Sequence, residues 1–291
     1  MKISDISNGA ILEKVELSDQ EEDNCSMSNV SIFKGKLFNL GMKHAQFSSC
    51  NIKQTYIEKS YFRYAIFVNV DFTGTKFIEC DFEKAKFNSC NLRYVTFEKC
   101  KLNIEEVLGC LPTEPNLKVA ILKELRKNQL SLAENKSSDE LLIMIQEAEK
   151  ELLRERVKSR TSYYRERENI ISRTIALVNY ILLIINDFVW GYGVRLAKLF
   201  RTGLLAILFF GLLIYTTTGK EYIVITEYGN KMIRLNVWQS LYASYTNFTT
   251  IGYGRYTPTG VFSNFIFVIE NFVGLIFIGF LVAGVYRRIS K

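Results

Sequence analysis

Residues 80–99 read Cys80-Asp81-Phe82-Glu83-Lys84-Ala85-Lys86-Phe87-Asn88-Ser89-Cys90-Asn91-Leu92-Arg93-Tyr94-Val95-Thr96-Phe97-Glu98-Lys99, four successive five-residue units of one layout. Each unit has a large apolar residue at its third position (Phe82, Phe87, Leu92, Phe97) and a small one two places earlier (Cys80, Ala85, Cys90, Val95). A period of five fits neither the 3.6-residue helix nor the two-residue strand. Each unit therefore forms one side of a coil, with two side chains inside and three outside. The register runs through sixteen consecutive positions: Met27, Ile32, Leu37, Met42, Phe47, Ile52, Ile57, Phe62, Phe67, Phe72, Phe77, Phe82, Phe87, Leu92, Phe97 and Leu102. Only Leu40 is oversized among the residues two places before them. Leu12 and Leu17 share the register but Glu22 breaks it, so residues 1–24 are expected to be a cap, a lead-in or a frayed coil.

Segments such as Cys80 to Lys84 and Cys90 to Tyr94 resemble the pentapeptide-repeat family. That resemblance implies a right-handed four-sided β-helix over residues 25–103, a solenoid whose open ends need capping; it says little about activity. The six cysteines, Cys25, Cys50, Cys80, Cys90, Cys100 and Cys110, all fall on multiples of five, and the chain has one histidine, His44. Zinc and disulfide templates do not fit this arrangement, and small buried residues of the repeat do. Residues 1–103 hold 14 basic and 13 acidic side chains, a balance that gives nucleic acid no surface to read. Met1 to Leu17 has no apolar stretch of signal-peptide length, which puts the N-terminus in the cytosol.

Residues 104–168 read as a helical cap and connector. Asn116 to Leu130 shows helical spacing behind Pro112 and Pro115, and Ser137 with Glu140 forms a capping-box pattern after a polar gap. Residues 169–195 form an apolar helix and a turn. Ser172, Asn179 and Asn186, with Arg173, Tyr180 and Asp187, draw a polar stripe along that helix, which is expected to lie in the cytoplasmic membrane interface; a third span is the alternative. Gly191 to Gly193 is assigned to the turn.

Residues 196–291 hold 196–217 and 261–286, both long enough to cross a bilayer. The first begins among Arg195, Lys198 and Arg201 and the second ends at Arg287, Arg288 and Lys291, so both termini are expected inside the cell. Between the spans, Asn236 caps a helix over 237–248, about 18 Å long and too short to cross. The next strand, Thr249-Thr250-Ile251-Gly252-Tyr253-Gly254, carries glycine at alternate positions, which lets successive carbonyls face one axis. Four such strands stack rings of carbonyl oxygens, with the Thr250 hydroxyls below, in place of a cation's water shell.

This segment is similar to the signature filter of potassium channels, and with the order helix, short helix, filter, helix the resemblance covers about residues 196–288. It implies a homotetramer in the plasma membrane, selective for K+ bound at 249–254, and no cofactor. A less selective cation channel and a membrane-anchored repeat scaffold are the rival readings, and a cytosolic ligand of the repeat domain is not legible. One histidine, no phosphate-cradling loop and no metal-ligand cluster exclude the common enzyme classes.

Leu275, Ile278, Val282 and Tyr286 share one helix face and are expected to line the inner pore. Gly274 is a candidate hinge, or else a glycine that permits close helix packing. Glu270, the one acidic residue in either span, needs a partner, for which Arg255 or the pair Thr246 and Asn247 behind the filter are in reach. Arg255 stands where potassium channels commonly place aspartate, so four copies ring the outer mouth with positive charge. A cation about 8 Å from one such charge is repelled in water by roughly 0.5 kcal/mol. Arg255→Asp should therefore raise inward conductance in low salt and lose the advantage toward molar potassium; equal conductance at every salt concentration would leave Arg255 a solvated side chain.

Overall fold

The computed structural model describes residues 2–158, 164, 166, 169–218, 225–227 and 231–289. The chain divides into two compact units, Met1–Tyr180 and Ile181–Lys291. The first is built on short parallel strands: β1 Ile11–Glu13, β2 Glu16–Glu21, β3 Ser26–Ser28, β4 Ser31–Phe33, β5 Lys36–Gly41, β6 Gln46–Ser48, β7 Asn51–Lys53, β8 Tyr56–Glu58, β9 Ile66–Val68, β10 Lys76–Ile78, β11 Lys86–Asn88 and β12 Thr96–Glu98. Each pairs with the strand twenty residues on, which sets Leu17, Leu37, Ile57, Phe77 and Phe97 in one column and Met27, Phe47, Phe67 and Phe87 in another. A third side carries Leu12, Ile32 and Ile52, and the fourth is held by single bridges through Gly41, Tyr61, Asp81 and Lys101. The result is the four-sided β-solenoid that the resemblance to the pentapeptide-repeat family implies.

Stacked phenylalanines fill the solenoid, with ring centroids 4.9 Å apart for Phe47 and Phe67 and 5.0 Å for Phe67 and Phe87. The corners are made by the backbone. Every fifth residue from Lys14 to Lys99 has φ between 50° and 72°, in the left-handed region. Asn24, Asn29, Asn39, Asn69 and Gly74 suit it, whereas lysine, tyrosine or glutamate there costs about 1–2 kcal/mol each. The strand ladder and two buried side chains per unit outweigh that strain. Cysteines occupy the small inward column, and burial pushes the Cys25 and Cys50 thiols above their ordinary range, so these are unreactive packing groups.

Both ends of the solenoid lie further out than the periodicity indicates. Strands β1 and β2 make full rungs, so the coil begins near Ile11 and residues 11–24 are neither a cap nor frayed. Glu22 keeps the backbone rung, its N–H donating to the Gly41 carbonyl at 2.8 Å, and its side chain is half-exposed at the open end. The cap is the short turn Ile3–Asp5, with Ile3 buried and its N–H donating to Gln20 Oε1 at 2.7 Å. At the other end helix α1, Ile104–Leu108, replaces a strand yet keeps the register: Val107 is buried in line with Phe87, and Cys110 Sγ accepts from the Cys90 N–H at 3.4 Å.

The last coil would expose an unpaired rung. Helix α2, Pro115–Ser131, closes it with the fully buried Asn128, whose Oδ1 accepts from the Cys100 N–H at 2.7 Å and whose Nδ2 donates to the Cys100 carbonyl at 2.8 Å. One amide side chain thus stands in for the next strand. Helix α3 runs Asn135–Lys158, so Ser137 lies inside it and the expected capping box does not form. The turn is made instead by Ala133 at φ 59°, with the Glu134 N–H donating to the Gln129 carbonyl at 2.9 Å, which satisfies the end of α2 without a polar gap.

The remaining helices are α4 Ile170–Trp190, α5 Leu196–Thr217, α6 Val237–Phe248 and α7 Val261–Ile289. Of these α4, α5 and α7 are long and apolar enough to cross a membrane. The boundary between the units falls inside α4, of which Ala176 alone is buried. A small antiparallel sheet, β13 Ile225–Glu227, β14 Lys231–Met232 and β15 Tyr256–Pro258, joins the segment before α6 to the chain after Gly254.

Asn128→Ala leaves the buried Cys100 N–H and carbonyl unpaired and should cost about 3 kcal/mol of solenoid stability. Ser131→Ala removes a 3.3 Å bond from the Lys99 N–H and the hydroxyl's 2.7 Å bond to the Asn128 carbonyl, but at an exposed residue whose partners water can reach, and should cost less. Denaturant unfolding followed by the β-sheet circular dichroism signal checks both.

Candidate functional site

Helix α6 is positioned at its start by a complete capping box: Asn236 Oδ1 accepts from the Gln239 N–H at 2.9 Å, and Gln239 Oε1 accepts from the Asn236 N–H at 2.9 Å. Ala243 and Phe248 bury its inner face, and Leu241 packs over Gly211 of α5. After Phe248 the helix gives way to a backbone that alternates in hand: Thr250 has φ 59°, Gly252 57° and Gly254 72°. The two glycines take these angles freely, while Thr250 holds a conformation costly for a β-branched residue.

Two amides of this segment turn back to α6. Thr250 N–H donates to the Asn247 carbonyl at 3.0 Å and Gly252 N–H to the Thr246 carbonyl at 3.1 Å. Among the described residues no donor reaches the carbonyl oxygens of 250–254. Tyr253 is 70% exposed and Ile251 47%, and a Cβ added at Gly252 or Gly254 meets nothing within 4 Å. In one chain this strand of free carbonyls is therefore open on the side away from α6.

Helix α7 passes behind the segment with one stripe turned inward: Ser263, Phe267, Glu270, Gly274 and Gly284 are buried. A methyl group at Gly274 would stand 1.9 Å from the Phe248 carbonyl oxygen, so the helix crosses the end of α6 in backbone contact. Close packing is thus a sufficient reason for glycine at 274, and α7 runs unbroken through it. Phe277, one turn on, lies against Gly203 of α5 and Phe248. Leu275, Val282 and Tyr286 lie off this stripe, 59%, 63% and 71% exposed, with Ile278 partly covered.

Glu270 is fully buried. Its Oε2 accepts from Asn247 Nδ2 at 2.9 Å, and its Oε1 is hydrogen-bonded to Ser244 Oγ. Of the partners expected from the sequence Asn247 is present, while Thr246 Oγ1 lies instead within hydrogen-bond distance of the Tyr242 and Ala243 carbonyls of its own helix, at 2.9 and 3.0 Å. The Arg255 guanidinium sits 5.1 Å over the Tyr256 ring. Ser244 was not legible as a partner, since a serine six residues from Thr250 carries no sequence signal; its helix position, three residues before Asn247, is the one available clue. The sheet that holds Tyr256 was not foreseen either.

At the opposite end of the unit, the turn after α4 is made by Gly191, Tyr192 and Gly193, all at positive φ. Lys198 Nζ donates to Asp187 Oδ1 at 2.5 Å, the Arg201 guanidinium packs on Phe188, and Trp190 stacks on Phe280 with ring centroids 4.6 Å apart. Asp187 of the polar stripe is thereby neutralised by α5.

Comparison with known proteins divides the chain in the same way. Residues 40–117 match the family model described as Pentapeptide repeat region, and residues 202–291 match that described as Ion channel. Among solved structures, the chain is similar to a pentapeptide repeat protein, Rfr23, from the cyanobacterium Cyanothece 51142, at 15% identity over 32% of this chain and 84% of that one, with a TM-score of 0.16. It is also similar to QnrB1, a plasmid-mediated fluoroquinolone resistance protein, at 10% identity over 32% and 74%, with a TM-score of 0.12. No curated protein matches. The chain is thus a membrane protein with a pentapeptide repeat region followed by an ion channel domain.

Gly274→Ala must push α7 off the Phe248 carbonyl and should cost about 1–3 kcal/mol, whereas Gly279→Ala, with open space around it, should be near neutral. Thermal unfolding of both variants in detergent checks this; a Gly274→Ala protein as stable as its parent but altered in conduction would mark the position as a hinge.

Proposed function

We propose that the protein is a potassium-selective channel of four identical chains, with the cation path formed by Thr249, Thr250, Ile251, Gly252, Tyr253 and Gly254 of each. The observation that carries this reading is the alternation of hand at Thr250, Gly252 and Gly254 combined with amides anchored on α6. With the Thr250 and Gly252 N–H groups turned to the helix, the unpaired carbonyls are left to the other side, where a dehydrated cation would find oxygens in place of its water. A single strand offers oxygens from one side only; a ring of four completes the cage. The carboxyl end of α6, with its partial negative charge, points the same way as the strand begins.

Leu275, Ile278, Val282 and Tyr286 line the inner part of the path, since Phe277 and the buried stripe are taken up by α5 and α6. The other exposed apolar side chains of α5 and α7, Phe209, Leu212 and Phe265 among them, face lipid or a neighbouring chain. Basic residues flank the membrane segments at Arg195 to Arg201 and at Arg287 and Arg288. The run before α4, from Lys150 to Arg173, is basic as well. Placing all three on the cytoplasmic side makes α4 an interfacial helix, α5 and α7 the two spans, and the repeat region cytosolic.

Purified protein in a planar bilayer should give a reversal potential that follows the potassium gradient and ignores sodium. Gly252→Ala, with a Cβ forced to φ 57°, should abolish the current and leave the solenoid melt unchanged. A reversal potential that follows both cations would make it a non-selective channel, and no current under any gradient would favour the anchored scaffold.

A further inference from the structure

Ser244 Oγ lies within hydrogen-bond distance of two acceptors, the Ile207 carbonyl oxygen of α5 at 2.9 Å and Oε1 of Glu270 on α7. A serine hydroxyl has one proton and serves one of them. On the far side of the carboxyl group Asn247 Nδ2 spends its two protons on Glu270 Oε2 and on the Phe267 carbonyl, at 2.9 and 2.8 Å. With Glu270 ionised, one close oxygen pair is left with no proton between its members: Ser244 with Ile207, or Ser244 with Glu270. A proton on Oε1 completes the set. The carboxyl O–H then donates to Ser244, and Ser244 donates to Ile207.

The surroundings favour the same state. Glu270 lies about 14 Å into a helix of membrane-crossing length, and among the described residues no charged side chain pairs with it. On α5, Lys198 is taken by Asp187 and Arg201 by Phe188. On α7, Arg287 and Arg288 are about five turns away. Arg255, before β15, is stacked on Tyr256. The other titratable side chains on the packed elements are phenols: Tyr215 on α5, Tyr242 and Tyr245 on α6, and Tyr256 on β15. The carboxyl group also abuts the last turn of α6, where the helix dipole presents its negative pole. An anion here would meet that pole with no cation to balance it.

We propose that Glu270 is carried as the neutral acid and is a positioning residue, linking α7 through Ser244 to α5 and through Asn247 to the strand 249–254. Asn247 is the junction: its side chain holds the carboxyl group and its backbone carbonyl receives the Thr250 N–H. The relay thus fixes the end of α6 from which the alternating strand departs. Its effect on conduction rests on the channel reading of that strand; its protonation does not.

The test uses the full chain in lipid vesicles. Infrared difference spectra at neutral pH should show the carbonyl stretch of a buried protonated carboxyl group, absent in Glu270→Gln. Glutamine supplies the same donor to Ser244 and the same acceptor to Asn247, so Glu270→Gln should pass potassium as the parent does. Glu270→Ala should lose discrimination against sodium by about tenfold, the scale of one lost hydrogen bond. In alkaline medium the parent should lose flux and Glu270→Gln should not. A parent without the protonated band overturns the relay whatever the protein conducts. A glutamine variant as damaged as the alanine variant overturns the positioning role. A parent that shows the band but passes no potassium keeps the relay and overturns the filter reading.

Discussion

A backbone N–H or carbonyl removed from water has to find a hydrogen-bond partner, and both halves of this protein are arranged around that demand. In the solenoid each coil supplies the partners of the next, so the obligation is passed along twenty residues at a time until it reaches the end. There Asn128 discharges it with a side-chain amide, donor and acceptor together. In the second unit the helices meet the demand internally, as a membrane requires. The exception is the run 250–254, where the Thr250 and Gly252 amides are paired on α6 while, among the described residues, no donor reaches the carbonyls. This is the segment for which an ion path is proposed above.

Strain is distributed by the same logic. The solenoid repeats a left-handed corner at every fifth residue and tolerates lysine, tyrosine and glutamate there because each corner is locked between two ladders. Thr250 is strained in isolation, at the end of α6 and next to the proposed ion path. It is held by neighbouring contacts: its own N–H on Asn247, the Gly252 N–H on Thr246, and α7 against Phe248 through Gly274. Backbone contact at Gly274 and the Glu270 hydrogen bonds lie one turn apart on α7, so the helix grips α6 by shape and by polarity at nearly the same level.

Within the second unit the turn at Gly191 to Gly193 is tied to both long helices, through Lys198 and Arg201 on α5 and through Phe280 on α7. Any displacement of α4 therefore bears directly on the C-terminal half of α7, the part whose exposed residues are proposed to line the path. The apolar character of α4 and its polar stripe are both used here. The stripe's Asp187 and Asn186 bond Lys198 and Trp190, leaving the apolar faces outward.

Everything periodic or strictly local was legible in the sequence. Each unit of the solenoid sees the same neighbours one coil above and below, so the sixteen apolar positions, the small column and the burial of the cysteines follow from the repeat alone. Asn236 announces α6 because a capping box is complete within four residues, and the glycines at 252 and 254 declare a backbone that only they adopt cheaply. What depends on how one element rotates against another was not legible. The coil starts at Ile11 because backbone rungs tolerate Glu22 at an open end; it closes on Asn128 because α2 happens to present that face. Ser244 reaches Glu270, and Thr246 does not, because α6 turns about 100° per residue. A difference of two positions, invisible as composition, decides which side chain faces α7 and which returns to its own helix.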